Sequence, residues 1–245
     1  MFFAMGYRKE QFANGEIYHI VIRGIDDNVI SKDTDDYYRG IFSIYEFNTT
    51  KAVVIRDRRR ARSRAKRILI KLNKDPRLAA DSRDKLVEVL AFCIMPNHLH
   101  LLVRQLKNKG ISKFMAKLGT GYGGYFNKKY QRKGHVIQNR FKAIQVKSDE
   151  QLKIVWAYIH ANPVSLIEPK WKEKGISSLS KVMKFLENYK WSSYQDYIGK
   201  ANFPSVTERT FISEIMSGQD KCKEFLEDYI KYKGKVKEYS DLFLE

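Results

Sequence analysis

The stretch VEVLAFCIMPNHLHLLV, residues 87–103, decides the fold class of this chain. Two apolar runs meet at a short Pro-Asn turn, which predicts two adjacent buried strands at 86–95 and 99–105. Alternate side chains of a strand share a face, so we expect His98 and His100 to point the same way. Two imidazoles side by side form half of a divalent-metal site.

The sequence on either side predicts further elements in a defined order. Apolar periodicity, turn residues and caps predict strands at 17–23 and 141–146, with 136–137 beside the second, and helices at 33–45, 111–130 and 148–162. The last helix is expected to end before Pro163, because the residue before a proline disfavours helical geometry. The order fits an α+β, antiparallel sandwich of the ferredoxin-like kind. Residues after about 165 are expected to form a smaller, mostly helical extension.

Composition indicates a polyanionic partner. The 245 residues carry a formal net charge of +18 and 13% aromatic residues, a combination that suits single-stranded nucleic acid. The segment 51–86 includes a run of cations at 56–67, interpreted as an arm for the phosphate backbone. A solvated helix face and a loop without fixed structure are the alternatives for this segment. For the charge, the alternatives are a surface that only keeps the protein soluble and a membrane-surface binder.

The two cysteines, Cys93 and Cys222, form no CxxC pair, which excludes a zinc finger or zinc ribbon. Cys93 is expected to be a small core residue. The sequence shows no signal peptide and no apolar run of membrane-spanning length, and its two cysteines suit reduced thiols. These features favour a cytoplasmic protein without a membrane partner.

A second group of candidate residues lies on the predicted helix 148–162. Tyr158 and Asn162 are four residues apart and so share one helix face. If that face meets the histidine pair, Asn162 offers a third ligand oxygen and Tyr158 lies where it can attack a phosphorus. The alternatives are a core aromatic for Tyr158 and a simple helix stop for Asn162.

Residues 95–102, MPNHLHLL, resemble the signature of the HUH single-tyrosine transposases. Within them the chain is similar to the REP-associated tyrosine transposase branch. Four other stretches share this resemblance in order and spacing: 18–24, 134–142, 158–164 and 191–194. The resemblance covers 15–48 and 87–200. The basic insertion at about 51–86 and the segment 201–245 depart from it.

The resemblance implies an HUH endonuclease fold in residues 1–165, followed by the extension 166–245. It implies nicking and rejoining of single-stranded DNA near hairpins, with Tyr158 forming a 5′-phosphotyrosine link and His98, His100 and Asn162 holding Mg²⁺ or Mn²⁺. Such a protein would act as a monomer or a homodimer.

Three cations lie in or beside the strands of this pattern, and we expect them to contact phosphate: Arg23, Arg140 and Lys142. Three alternative functions remain: a relative that binds a hairpin without cutting it, a replication initiator or relaxase, and a metal-dependent nuclease that uses water as the nucleophile.

Overall fold

The computed structural model of this chain describes residues 11–55, 81, 83–232 and 243–244, with single residues at 57, 60, 63, 64, 67 and 71. Most of the basic run 56–67 lies outside the described residues. Its interpretation as an arm for phosphate therefore stays a prediction.

The first part of the chain builds a four-stranded antiparallel sheet with two helices. Its elements are β1 (Ile17–Arg23), α1 (Thr34–Glu46), β2 (Val87–Ile94), β3 (His98–Gln105), α2 (Gly110–Lys129) and β4 (Lys142–Val146), with a short 3-10 turn at Ile25–Asp27. The strand order is β2-β3-β1-β4, and each neighbouring pair is antiparallel. This order confirms the predicted α+β, ferredoxin-like fold. The expected strand at 136–137 is only an isolated bridge between Gly24 and Ile137.

The second part of the chain is helical, as expected. Its elements are α3 (Asp149–Ala161), a 3-10 helix (Asn162–Leu166), α4 (Trp171–Lys174), α5 (Leu179–Asn188), α6 (Tyr194–Tyr197), α7 (Thr210–Ile215) and α8 (Gln219–Tyr232). The Ser148 hydroxyl caps α3 by accepting a hydrogen bond from the Gln151 amide, 3.2 Å away.

The end of α3 differs from the expectation in one respect. Asn162 keeps helical angles, φ −51° and ψ −41°, although a proline follows it. The chain continues into a 3-10 helix in which Pro163 occupies one of the first two positions, where no intrahelical N–H donor is needed. The backbone therefore passes from α-helix to 3-10 helix at the proline.

The sheet separates two hydrophobic clusters. Alternate residues of β1, such as Tyr18, Ile20 and Ile22, pack with α1 and α2 on one face. The other face includes Leu102 and is covered by α3 and the C-terminal helices, through residues such as Trp156 and Leu226. Residues on both sides of position 165 thus share one core, and the predicted domain boundary at 165 stays a prediction.

The segment around Trp191 extends the sheet beyond β2. The Ile94 amide donates to the Trp191 carbonyl oxygen at 2.8 Å, and the Ser193 amide donates to the Phe92 carbonyl oxygen at 3.0 Å. These bonds cover the outer edge of β2, which would otherwise expose unpaired backbone groups. Across the part of the chain that the structure describes, no helix has both the length and the apolar character to cross a membrane. Cys93 is fully buried, as the sequence predicts for a core residue.

Two glycines of α2 have opposite surroundings. A Cβ at Gly121 would collide with the ring of Phe47, so this glycine allows α1 and α2 to approach closely. A Cβ at Gly119 would meet no atom within 4 Å.

Alanine at these two positions should change stability in opposite directions. Gly119→Ala should raise the free energy of unfolding by about 0.5–1 kcal/mol, because alanine is the better helix former. Gly121→Ala should lower the free energy of unfolding by about 1–3 kcal/mol, because Phe47 must move. Urea unfolding of both variants measures the difference. Equal effects of the same sign would contradict the packing of α2 on α1.

Candidate active site

Strands β1 and β3 are paired, and β3 carries the histidine pair on one face of the sheet. His98 begins β3 opposite Arg23 of β1, and His100 lies opposite Val21. The ring centroids of His98 and His100 are 4.8 Å apart. His100 is fully buried. The two imidazoles therefore form one compact group at the start of β3.

Helix α3 places Tyr158 against these histidines. The Tyr158 ring centroid lies 5.5 Å from that of His100 and 5.6 Å from that of His19, and both contacts are edge-on. Only 2% of Tyr158 is exposed. The structure thus brings together Tyr158 and the histidine pair. The sequence spacing alone could not establish that the helix face with Tyr158 meets the histidines.

The ring nitrogens of the pair have defined partners. His98 Nδ1 lies 2.6 Å from the Asn97 Oδ1, and His100 Nδ1 lies 3.0 Å from the Nε2 of His19. The amide oxygen of Asn97 only accepts, so His98 donates through Nδ1 and keeps the lone pair on Nε2. The His100 Nε2 is buried and has no hydrogen-bond partner among the described residues. A buried nitrogen in this position suits a bound cation, because buried polar atoms are rarely left unpaired.

Both histidines are held neutral. Burial lowers the pKa of His98 to about 3, and the nearby charges of Arg23 and Lys172 act in the same direction. Burial and its histidine neighbours also hold the pKa of His100 well below its usual range. Neutral imidazole is the form that binds a metal ion.

The surroundings of Tyr158 keep its hydroxyl protonated at neutral pH. Burial raises its pKa above the usual value, with a smaller contribution from Tyr229, while a hydrogen bond with the Asn162 side chain acts against this. The ring of Phe243 stacks on Tyr158 with centroids 4.5 Å apart, and Lys172 Nζ lies 5.4 Å from the Tyr158 centroid. A phenol in this state is a weak nucleophile unless a nearby charge activates it.

Asn162 lies one turn after Tyr158, and its Nδ2 donates to the Tyr158 carbonyl oxygen at 2.9 Å. The Oδ1 is therefore the atom of this side chain that suits a metal ion. Among the residues that the structure describes, no group of three or more His, Cys, Asp or Glu side chains is arranged to hold a metal ion. A site here needs a neutral oxygen beside the two imidazoles, and the role of Asn162 as that ligand stays a prediction.

The three candidate DNA-binding cations occupy different positions. Arg23 lies next to Asp27, 3.3 Å away, at the same end of the sheet as His98. Lys142 pairs with Val21, which in turn pairs with His100, so the three residues share one face of the sheet. With strands about 4.8 Å apart, Lys142 lies roughly 10 Å from His100. Arg140 is exposed immediately before β4.

The sequence reasoning missed three residues of this site. Asn97 stands inside the stretch that decided the fold, and His19 stands in the first predicted strand, but neither was assigned a role. Their signal was a polar side chain in an apolar strand or turn. Lys172 gave no signal, because it lies in the helical extension and reaches Tyr158 only through the fold.

The central part of the chain, residues 43–162, matches the family model described as "Transposase IS200 like". Transposases cut DNA, so this match implies a DNA-cleaving enzyme. Among solved structures, the chain resembles that of a REP-associated tyrosine transposase bound to a REP hairpin, with 14% identity and a TM-score of 0.45. The likeness covers 84% of this chain and 96% of the other. A search of curated proteins gives no match.

His160 belongs to the core beside the site and not to the metal group. Its Nε2 lies 2.8 Å from the Ser193 hydroxyl, and Ser193 in turn accepts from the Phe92 amide at 3.0 Å. Burial lowers the pKa of His160 to about 3. The histidine therefore ties α3 to the edge of β2 as a neutral group.

The stability of the protein should depend on pH through His160. Between pH about 6.5 and 3 the unfolded histidine binds a proton that the folded one does not, so stability falls as the pH falls. His160→Gln should reduce this slope between pH 6 and 4 by about 1.4 kcal/mol per pH unit. Urea unfolding at a series of pH values measures the slope. An unchanged slope would mean that His160 is charged in the folded protein.

Proposed function

We propose that this protein nicks and rejoins single-stranded DNA at hairpin-flanked sites, with Tyr158 as the nucleophile. The observation that carries the proposal is the packing of Tyr158 against His100, with ring centroids 5.5 Å apart, in a chain whose central part matches the IS200-like transposase model. His98, His100 and Asn162 would hold Mg²⁺ or Mn²⁺. Two imidazoles favour Mn²⁺ more than Mg²⁺, because Mg²⁺ prefers oxygen ligands.

The reaction exchanges one phosphate ester for another. The Tyr158 oxygen forms a bond to the scissile phosphorus, the bond to the 3′ oxygen breaks, and the products are a 5′-phosphotyrosine and a free 3′-hydroxyl. Tyr158 loses its proton and the leaving oxygen gains one. Rejoining is the reverse attack by a 3′-hydroxyl, so the cycle needs no nucleotide cofactor. A bound divalent ion supplies neutralisation of the phosphate charge and helps to align the ester.

The residues around Tyr158 prepare the site for a phosphate. Arg23 and Lys172 provide positive charge, and both lower the pKa of His98 by that charge. Tyr158 is 2% exposed, so a phosphate reaches its hydroxyl only after the side chains packed around it move. The site therefore combines a covered nucleophile with a positive surrounding that attracts the substrate.

DNA would extend from this site along the face of the sheet that carries Lys142. Lys142 and Arg140 are exposed beside the outer strand β4, and Arg23 lies between them and the histidines in the strand order. Cations in such an arrangement bind the phosphate backbone and give affinity with little choice of sequence.

A covalent protein–DNA species should form on a labelled hairpin library with Mn²⁺. Denaturing gels should show a slowly migrating band with the unmodified protein, lost in Tyr158→Phe and reduced at least 100-fold in His98→Ala, because neither variant has the complete site. Added EDTA should also remove the band.

Tyr194→Phe is the matched control for this experiment. Tyr194 is buried, its hydroxyl has no hydrogen-bond partner among the described residues, and the same atom is removed. The control should keep the covalent band. Cleavage by Tyr158→Phe without a covalent band would instead indicate water as the nucleophile. Binding by every protein with no covalent band in either Mg²⁺ or Mn²⁺ would indicate a hairpin binder that does not cut.

Single-stranded DNA binding should depend on salt through the cations beside β4. Arg140→Gln and Lys142→Gln should each reduce the slope of log K against log salt concentration by about 0.7, because one phosphate contact is lost. Fluorescence anisotropy across a salt series measures the slope. Lys221→Gln removes the same charge from an exposed ion pair with Glu224 on α8 and should leave the slope unchanged. Equal changes in all three variants would indicate an effect of net charge alone.

A further inference from the structure

His19 is a third imidazole in the site that the proposed reaction does not use. It lies in β1, fully buried, with its Nε2 3.0 Å from the Nδ1 of His100. The ring planes differ by 17° and the ring centroids lie 5.3 Å apart, which is about the nitrogen–nitrogen distance plus two ring radii, so the two rings meet edge to edge. That geometry suits a hydrogen bond between two imidazoles.

Two neutral imidazoles joined in this way share one hydrogen, and two arrangements are open to them. In the first, His100 carries its hydrogen on Nδ1 and donates it to His19. The Nε2 of His100 then presents a lone pair. In the second, His19 donates to His100, and the His100 Nε2 carries a hydrogen that points into the site.

The surroundings of the His100 Nε2 distinguish these arrangements. This atom is buried and has no hydrogen-bond partner among the described residues. In the second arrangement it would be a buried N–H without an acceptor, which is costly. In the first arrangement it is a lone pair available to a cation. Asn97 holds His98 in the corresponding tautomer, because its Oδ1 accepts a hydrogen bond from His98 Nδ1 at 2.6 Å.

We propose that His19 is a positioning residue, which accepts a hydrogen bond from His100 Nδ1 and so holds His100 in the tautomer whose Nε2 binds a divalent ion. The inference rests on the metal role of His100 in the proposed function. Partners of this kind orient metal-binding histidines and set their tautomer in many metal sites. The His19 ring also contacts the edge of Tyr158, so it fixes the spacing between the ligand and the nucleophile.

The first test is the tautomer of His100 in the unmodified, full-length protein. Long-range ¹⁵N–¹H NMR spectra of protein labelled with ¹⁵N-histidine distinguish the two tautomers, and His100→Gln and His19→Gln assign the signals. We expect a protonated Nδ1 and an unprotonated Nε2 for His100 before any metal is added. A protonated Nε2 in that protein would overturn the proposal.

The second test is the affinity for Mn²⁺, measured from the EPR signal of the free ion. His19→Leu removes the acceptor and should weaken Mn²⁺ binding by about 10–100-fold. His19→Gln keeps a side-chain acceptor and should bind Mn²⁺ within a few-fold of the unmodified protein. Equal affinity in the unmodified protein and in a folded His19→Leu variant, judged by circular dichroism, would overturn the proposal.

One further variant separates this inference from the proposed function. His100→Ala should abolish Mn²⁺ binding. If it does, and His19→Leu still binds normally, only the role of His19 is wrong. If His100→Ala binds Mn²⁺ as the unmodified protein does, the ligand set of the proposed function is wrong and the role of His19 is overturned with it.

Discussion

The register of β1 against β3 is the constraint on which the rest of the structure depends. It sets His100 opposite Val21 and His98 opposite Arg23, on the face that α3 covers. A slip of one residue in β3 would turn both histidines into the other cluster, between the sheet and α1. It would also bring Leu99 and Leu101 out of that cluster, where both are buried. The burial of Leu99 and Leu101 on one face of the sheet thus determines that His98 and His100 lie on the other face.

Most of the fold could be predicted from the sequence, because the strands are apolar runs and turn residues separate them. The strand at 17–23 was predicted with the bounds that the structure has, and β2 begins one residue later than expected. Helix α2 forms despite five glycines because its apolar side packs on the sheet, while Gly121 permits contact with Phe47. Helix α3 ends at Ala161, before Pro163, as the sequence predicts, but the helical backbone of Asn162 and the 3-10 helix that follows were not predicted.

Only part of the candidate site could be predicted from the sequence. Strand alternation placed His98 and His100 on one face, and helix spacing placed Tyr158 and Asn162 together. The contact of His19 with His100 could not be predicted, because it depends on which residues of two strands lie opposite each other. The contacts of Lys172 and Phe243 with Tyr158 join segments far apart in the chain and leave no local pattern.

The charges of the site divide into two groups with different tasks. The proposed ligands are neutral, because two imidazoles with lowered pKa values and one amide carry no charge. A divalent ion on such ligands keeps its full charge, whereas carboxylate ligands would cancel part of it. The fixed positive charge comes instead from Arg23 and Lys172, which stand beside the ligands without being ligands in the proposed set. Such a site attracts and polarises a phosphodiester more strongly than one built on acidic residues. The same positive charge disfavours protonated histidines, so it keeps the ligands in the form that binds the ion.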